Sequence, residues 1–258
     1  MSVIKTSWTI VLTLTVVLVG LIVGCRGPVG PEGPAGTLPI YVLAYLESPF
    51  LWDTTSDVRV DVLNVSGIPA VYVNDIKIPY DMYRASYRFF DPDFPISAGD
   101  SARLRIEHTK ADGSPGISQA SIKLPGRFAI TSHDTSGIDT IPFGSDLIVT
   151  WSSSDGADAY RAYGDFFCAY LDTSGAVQQH DYRLCTLFVD TSLTFLSSVL
   201  FPDTTEVDSV TIARGGFYVS GMSGPWQGGE AGNITGDGIG IFRGWTDGGQ
   251  FEFTATID

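Results

Sequence analysis

Basic residues are scarce in this sequence: 15 Lys plus Arg stand against 29 Asp plus Glu over 258 residues, a formal charge of −14. A surface of that sign repels phosphodiester backbones and anionic headgroups, so nucleic acid is set aside as a partner. Histidine is equally sparse. His108, His133 and His180 lie far apart, and no HExxH, GxSxG, GxxxxGK[ST] or paired CxxC spacing occurs. The chain therefore lacks the sequence forms of a zinc protease, a nucleophile elbow or a phosphate loop. Its many carboxylates could supply a glycosidase pair, but nothing selects one pair. No catalytic residue and no cofactor are assigned, and the chain is read as non-enzymatic. Calcium would suit the acidic turns at Asp91-Pro92-Asp93, Asp203 to Asp208 and Gly236-Asp237-Gly238, yet none has a calcium-loop motif. Ordinary Asx-turn chemistry accounts for them, so no metal site is assigned.

Long apolar runs are also missing, with one exception at the start. Residues Trp8 to Val23 are apolar apart from Thr9, Thr13, Thr15 and Gly20, and Lys5 is the one charge before them. The run falls short of the ~20 residues of a spanning helix. A short basic region, a compact apolar region and small residues form the layout of a secretory signal. The run ends in Ile22-Val23-Gly24-Cys25, which resembles the lipobox of bacterial lipoproteins. The resemblance implies cleavage after residue 24, a signal peptide over 1–24, and acylation of Cys25 as the new first residue. Several acyl chains hold a protein stably on a bilayer where a single chain is marginal. Arg26 follows where an aspartate would resemble an inner-membrane retention signal, so the expected address is the outer membrane of a Gram-negative envelope.

After Cys25 the chain enters Gly-X-Y phase: Gly27-Pro28-Val29, Gly30-Pro31-Glu32, Gly33-Pro34-Ala35 and Gly36-Thr37-Leu38. In a long tract this pattern makes a collagen triple helix. Four triplets suit a stiff polyproline-type spacer of roughly 35 Å, with a trimerisation element as the alternative. Residues 25–39 are read as this collagen-like linker. Loss of residues 1–24 removes Lys5 and no acid, so the mature chain is more acidic still.

No sustained 3.6-residue apolar period occurs in the remainder. Period-two alternation recurs instead. Ala102, Leu104, Ile106 and His108 oppose Arg103, Arg105, Glu107 and Thr109, and Phe251, Phe253, Ala255 and Ile257 oppose Gln250, Glu252, Thr254 and Thr256. Turn signals at Ser66-Gly67, Asp112-Gly113, Ser174-Gly175 and Asp247-Gly248-Gly249 separate such runs. The expected fold class is all-β, with two antiparallel β-sandwiches at 40–125 and 126–258 joined at Pro125-Gly126. DLIVTWSSSDGADAYRAYGDF, with Trp151 closing one strand and Tyr160 opening the next, resembles strands B and C of fibronectin type III modules. GGFYVSG, with Tyr218, resembles a later strand F. IPAVYVND and ISAGDSARLRIEHT resemble immunoglobulin-like modules of bacterial surface lipoproteins. These resemblances imply a scaffold, and a scaffold does not fix a function.

Cys168 and Cys185 flank DTSGAVQQHD, whose centre coincides with their midpoint. A symmetric hairpin would set them opposite one another, and in an oxidising exterior they are expected to form a disulfide that contributes ~3 kcal/mol. The glycine-rich segment 223–249, SGPWQGGEAGNITGDGIGIFRGWTDGG, is expected as a long loop carrying Trp226 and Trp245. Loops on a rigid scaffold carry much of binding, so Trp226, Trp245 and Trp52 are the candidate ligand contacts. The alternative is that Trp226 and Trp245 fold back and cap the sandwich. The leading functional reading is a non-enzymatic, lipid-anchored surface or envelope lipoprotein that acts as a binding, adhesion or envelope-assembly module for an envelope protein or glycan. The alternative is a carbohydrate-binding module or accessory of a glycan-degrading system, and a third is a structural subunit of a surface assembly.

Overall fold

The computed structural model describes residues 39–48, 56–110, 112–225 and 232–256. Cys25, the Gly-X-Y segment, Trp52 and Trp226 lie outside the described residues. The first strands in chain order are β1 (Ile40–Glu47), β2 (Ser56–Leu63), β3 (Ser66–Val73), β4 (Ile76–Ile78), β5 (Tyr80–Asp81), β6 (Ser86–Asp91), β7 (Ser101–Thr109) and β8 (Pro115–Lys123). They are followed by β9 (Ile138–Pro142), β10 (Leu147–Thr150), β11 (Ala159–Asp172), β12 (Val177–Phe188), β13 (Ser192–Phe195), the one-turn helix α1 (Ser197–Leu200), β14 (Val207–Ser223), β15 (Thr235–Gly236) and β16 (Gly238–Thr256). The chain is all-β in class.

Alternation dictates which face of each strand is buried. In β1, Ile40, Val42, Ala44 and Leu46 are buried, while Tyr41, Leu43, Tyr45 and Glu47 point the other way. Strands β1-β2-β6-β5 are neighbours in one sheet, and β8-β7-β3-β4 in another, with β15 added at the β8 edge. Lettered A to G along the chain, these orders are A-B-E-D and G-F-C-C′, the immunoglobulin-type arrangement. Between the sheets lies a core that includes Leu46, Val58, Leu104 and Ile106. Burial of each such side chain stabilises the fold by roughly 1.5–3 kcal/mol.

The second half repeats the plan. β10 pairs with β13, and they face the run β12-β11-β14-β16, a B-E sheet opposite C′-C-F-G. Trp151, Tyr160, Phe166, Phe217 and Phe251 fill the second core. Trp151 and Tyr160, expected to close and open adjacent strands, meet there edge-on with ring centroids 5.7 Å apart. Tyr218 lies on strand F, as the pattern implied, with its ring on the face away from the core beside buried Phe217 and Val219.

The two sandwiches share a sheet. β16 is 19 residues long, and its first half pairs in parallel with β1, from Ile40↔Gly238 to Glu47↔Trp245. Its second half pairs antiparallel with β14 and parallel with β9. One nine-stranded sheet therefore runs through both halves. Leu124 closes the first core and Phe128 opens the second, around the Pro125-Gly126 junction. Residues 126–258 are not confined to one core, however, because Ile234 and Phe242 return to the first.

A bulge keeps the faces of β16 in phase. Val219 pairs with Gly249 and Ser220 with Asp247, which leaves Gly248 as an extra residue. Before it, Phe242 points into the first core; after it, Phe251 and Phe253 point into the second. Those positions differ in parity, so the inserted residue holds both sets on one side of the sheet. Gly249 takes φ +115°, and a Cβ on Gly248 would strike the Phe128 ring. Within segment 223–249, expected as a loop, residues 238–249 belong to this strand. Its glycines serve close approach: a Cβ at Gly240 would overlap the Val42 carbonyl, and one at Gly244 would overlap the Leu124 side chain.

The expected disulfide is also corrected. Both Cys168 and Cys185 are free thiols. The β11–β12 hairpin turns about Ser174, where Asp172 Oδ1 accepts from Ser174 N and Ala176 N and Gly175 takes φ +81°. That centre precedes the midpoint of the cysteines, so Cys168 faces His180, and Cys185 faces Tyr163. Five residues from His180 to Cys185 place the sulfurs about 17 Å apart along the strand and on opposite faces, far beyond disulfide reach. Cys168 is fully buried, and burial pushes its thiol up to about 11; Cys185 is exposed. Iodoacetamide at pH 8 is expected to modify Cys185 and spare Cys168 in the folded protein. Mass mapping of the peptides checks this, and equal modification of both would contradict the placement.

Candidate functional site

The outward face of the nine-stranded sheet carries residues that no single segment of sequence holds together. Opposite the buried alternation of β1 stand Tyr45 and Glu47; opposite that of β2 stand Asp57 and Arg59. Register aligns them in rows, with Arg59, Tyr45 and Arg243 in one and Asp57, Glu47 and Trp245 in the next. The face continues past β16 onto β14 and β11, where Asp247 pairs with Ser220 and Ser220 with Arg161. Ser220 is small, so Arg161 reaches across β14 to its neighbour. Its guanidinium carbon lies 4.7 Å from the centroid of the Trp245 ring. Such a contact holds a planar cation in place by attraction to the ring's negative face, worth ~0.5–2 kcal/mol.

A pocket of about 210 Å³ opens here, lined by Tyr45 and Trp245, by Arg59, Arg88 and Arg161, and by Glu47 and Asp57. Three guanidiniums and two carboxylates line it, and Asp61, bonded to Arg59, makes a third acid, so cations are concentrated here on a strongly acidic protein. Arg88 is held 3.3 Å from Asp57 and Arg59 3.0 Å from Asp61, which leaves further guanidinium donors on each. A second pocket of about 460 Å³ adjoins the first and shares Asp57 and Arg88 with it. It is lined further by Tyr80, Phe90, Asp81 and Arg84. Phe90 is 65% exposed. Together the pockets form one groove from Trp245 to Phe90.

Asp247 is the most perturbed acid beside the groove. Burial pushes its carboxyl up to about 7, the charge of Glu47 adds to the rise, and Arg161 opposes it. The Tyr218 hydroxyl donates to Asp247 Oδ1. Arg243 is buried, its Nε donates to the Pro225 carbonyl, and burial draws its guanidinium below the usual range. A half-buried, desolvated carboxylate and a buried guanidinium on the outward side of a sheet are uncommon in a scaffold that only supports itself.

Of the three tryptophans singled out in the sequence, Trp245 stands at one end of this groove; Trp52 and Trp226 lie outside the described residues. Sequence reasoning missed Arg161, Arg88, Asp57, Glu47 and Asp247. The signal available was charge at outward positions of strands, as in Arg59-x-Asp61 and Arg243-x-Trp245-x-Asp247. The other sequence candidates do structural work. His108 is buried, its Nε2 is 3.3 Å from Ser118 Oγ, and burial lowers its pKa. Asp91 Oδ1 accepts from Asp93 N, Asp203 Oδ1 from Thr205 N, and Asp237 Oδ2 from Ile117 N, so each acidic turn uses its carboxylate on backbone.

No family model matches the chain, and no curated protein does. Among solved structures it is similar to a 1.5-MDa bacterial ice-binding adhesin, at 12% identity over 86% of this chain and 67% of that one, with a TM-score of 0.21. It is also similar to the fibronectin(III)-like modules of Clostridium thermocellum CbhA, at 11% identity, 83% and 94% coverage and a TM-score of 0.25. A third is the FN1–FN3 domains of chicken CNTN1, at 12% identity, 85% and 69% coverage and a TM-score of 0.29. Similarity of this degree carries no argument about activity or ligand, and the assignment of sandwich type rests on the strand orders given above.

Proposed function

We propose that this protein is a non-enzymatic, lipid-anchored envelope module that uses the outward face of its shared sheet to bind. The observation that carries this reading is the Arg161–Trp245 pair at the head of a groove built from strands of both sandwiches. Fusing two sandwiches through β16 creates a face wider than either half presents alone. The lipobox-like Ile22-Val23-Gly24-Cys25 and the Gly-X-Y segment supply the anchor and the stand-off, with Cys25 held in the outer membrane of the envelope by its acyl chains.

The alternative is a carbohydrate-binding module that stacks neutral sugars on an open indole. One face of Trp245 is already taken by Arg161, which favours a ligand read through charge over one read by stacking alone. The test is an array of glycans and peptides probed with the full chain in detergent, beside Trp245→Ala. The proposal expects at least one ligand whose signal falls tenfold or more in the variant while the melting temperature stays within a few degrees. Binding that is indifferent to Trp245→Ala would remove the face from the account.

A further inference from the structure

We infer that the groove from Trp245 to Phe90 binds a glycan that carries carboxylates, a chain of uronate sugars. The inference rests on the binding-face reading above and names its ligand. Arg161 is the first ground. Its guanidinium is laid against an indole, which holds the planar fork in position to meet a carboxylate edge-on. Arg88 is the second. It lines both pockets, with its contact to Asp57 at 3.3 Å, so it stands where a second acidic unit of the same ligand would pass.

The acids explain why the ligand is a sugar chain and not a bare anion. Glu47, Asp57 and Asp81 line the groove among the arginines, and a carboxylate accepts hydrogen bonds from hydroxyl groups, which sugars supply at most ring carbons. The rings of Tyr45, Tyr80 and Phe90 give apolar walls for the ring faces. An acidic peptide fits less well. Across β16, β1, β2 and β6 the backbone groups are paired strand to strand, and the edge strand β5 that borders the groove is only two residues long, which gives a peptide little to extend. The shared residues make the two pockets one elongated site, which suits an oligomer.

Asp247 supplies a built-in modulator. It faces Glu47 from β1, Arg161 from β11 and Tyr218 from β14. When it ionises it places a negative charge beside Arg161, so an anionic ligand is expected to bind several-fold more weakly at pH 8 than at pH 6.

The experiment is calorimetric titration of the full chain in detergent with three hexamers: galacturonate, alginate and hyaluronan. Each is paired with its carboxyl-reduced, neutral form, and hexaglutamate is run alongside. Expected is binding of at least one uronate hexamer, weakened tenfold or more by reduction and by Arg161→Gln, with Arg161→Lys intermediate. A thermal melt of each variant shows that the fold is kept. Failure of all three uronates, or equal binding of a reduced form, overturns the inference; tighter binding of hexaglutamate makes the ligand an acidic peptide. A neutral form that binds and is lost in Trp245→Ala would leave the binding face standing while removing the carboxylate. If no ligand responds to either substitution, the binding face itself is wrong.

Discussion

Asp247→Asn is expected to stabilise the protein at pH 8 and to leave it nearly unchanged at pH 4. The carboxyl is raised from 3.8 to about 7 in the folded chain, chiefly by burial. A raised acid binds its proton more tightly when folded, so its contribution to stability is complete below pH 4 and is lost as pH rises towards 7. The full loss is at most about 4 kcal/mol, at ~1.4 kcal/mol for each tenfold gain in proton affinity. Asparagine cannot ionise, and its carbonyl oxygen can still accept from the Tyr218 hydroxyl. His108 slopes the opposite way: its lowered pKa means that stability falls as pH drops below about 6.5. That slope is common to both chains and cancels in the difference. Chemical denaturation at steps from pH 4 to pH 8 should show the two curves diverging, by roughly 10 °C if read as melting temperature. Parallel curves would show that Asp247 is not the raised acid described.

Removal of Gly248 should have a still larger effect. The bulge is what lets one strand serve two cores, since Phe242 points inward before it and Phe251 and Phe253 after it. Without the extra residue, every side chain beyond it exchanges faces. Phe251 and Phe253 would turn to solvent, and Gln250, Glu252 and Thr254 would enter the second core. Two lost phenylalanines at ~3–5 kcal/mol each rival the ~5–15 kcal/mol that holds an ordinary domain together. The deletion is expected to abolish the near-ultraviolet signal from packed Trp151 and the cooperative melt. Gly248→Ala should be milder than the deletion, because it keeps the register and costs a shift of the buried Phe128 ring rather than an exchange of faces. A deletion chain that melts within a few degrees of wild type would contradict the role given to the bulge.

The two cases also show what could be read from the sequence. Alternation in Ala102, Leu104, Ile106 and His108 places all four on the buried face, and Trp151 and Tyr160 mark a core, because these signals are local. The pairing of Ile40 with Gly238 spans nearly the whole folded chain, and no local pattern announces it. Glycines in 223–249 look like loop residues when strand propensity is consulted alone; their reason lies in neighbours such as Val42 and Leu124 that close approach brings in. The cysteine pair fails on one detail of turn chemistry. Asp172 captures the backbone of Ser174 and Ala176, and the hairpin centre moves accordingly. Trp245 is legible as a tryptophan in an unusual setting, but its companions come from β1, β2, β6 and β11, and only the joined sheet assembles them.

The most direct test is display of the full chain from a Gram-negative surrogate, with a fluorescent ligand from the array applied to intact cells. Wild type, Cys25→Ser and Arg161→Gln are compared for protein in the membrane fraction, acyl mass and bound ligand. Wild type is predicted to be cleaved after residue 24, acylated and competent to bind; Cys25→Ser is predicted to leave the membrane fraction, and Arg161→Gln to stay anchored but lose ligand. An unacylated wild type that keeps residues 1–24, or an Arg161→Gln chain that binds as wild type does, would contradict the reading of an anchored binding face.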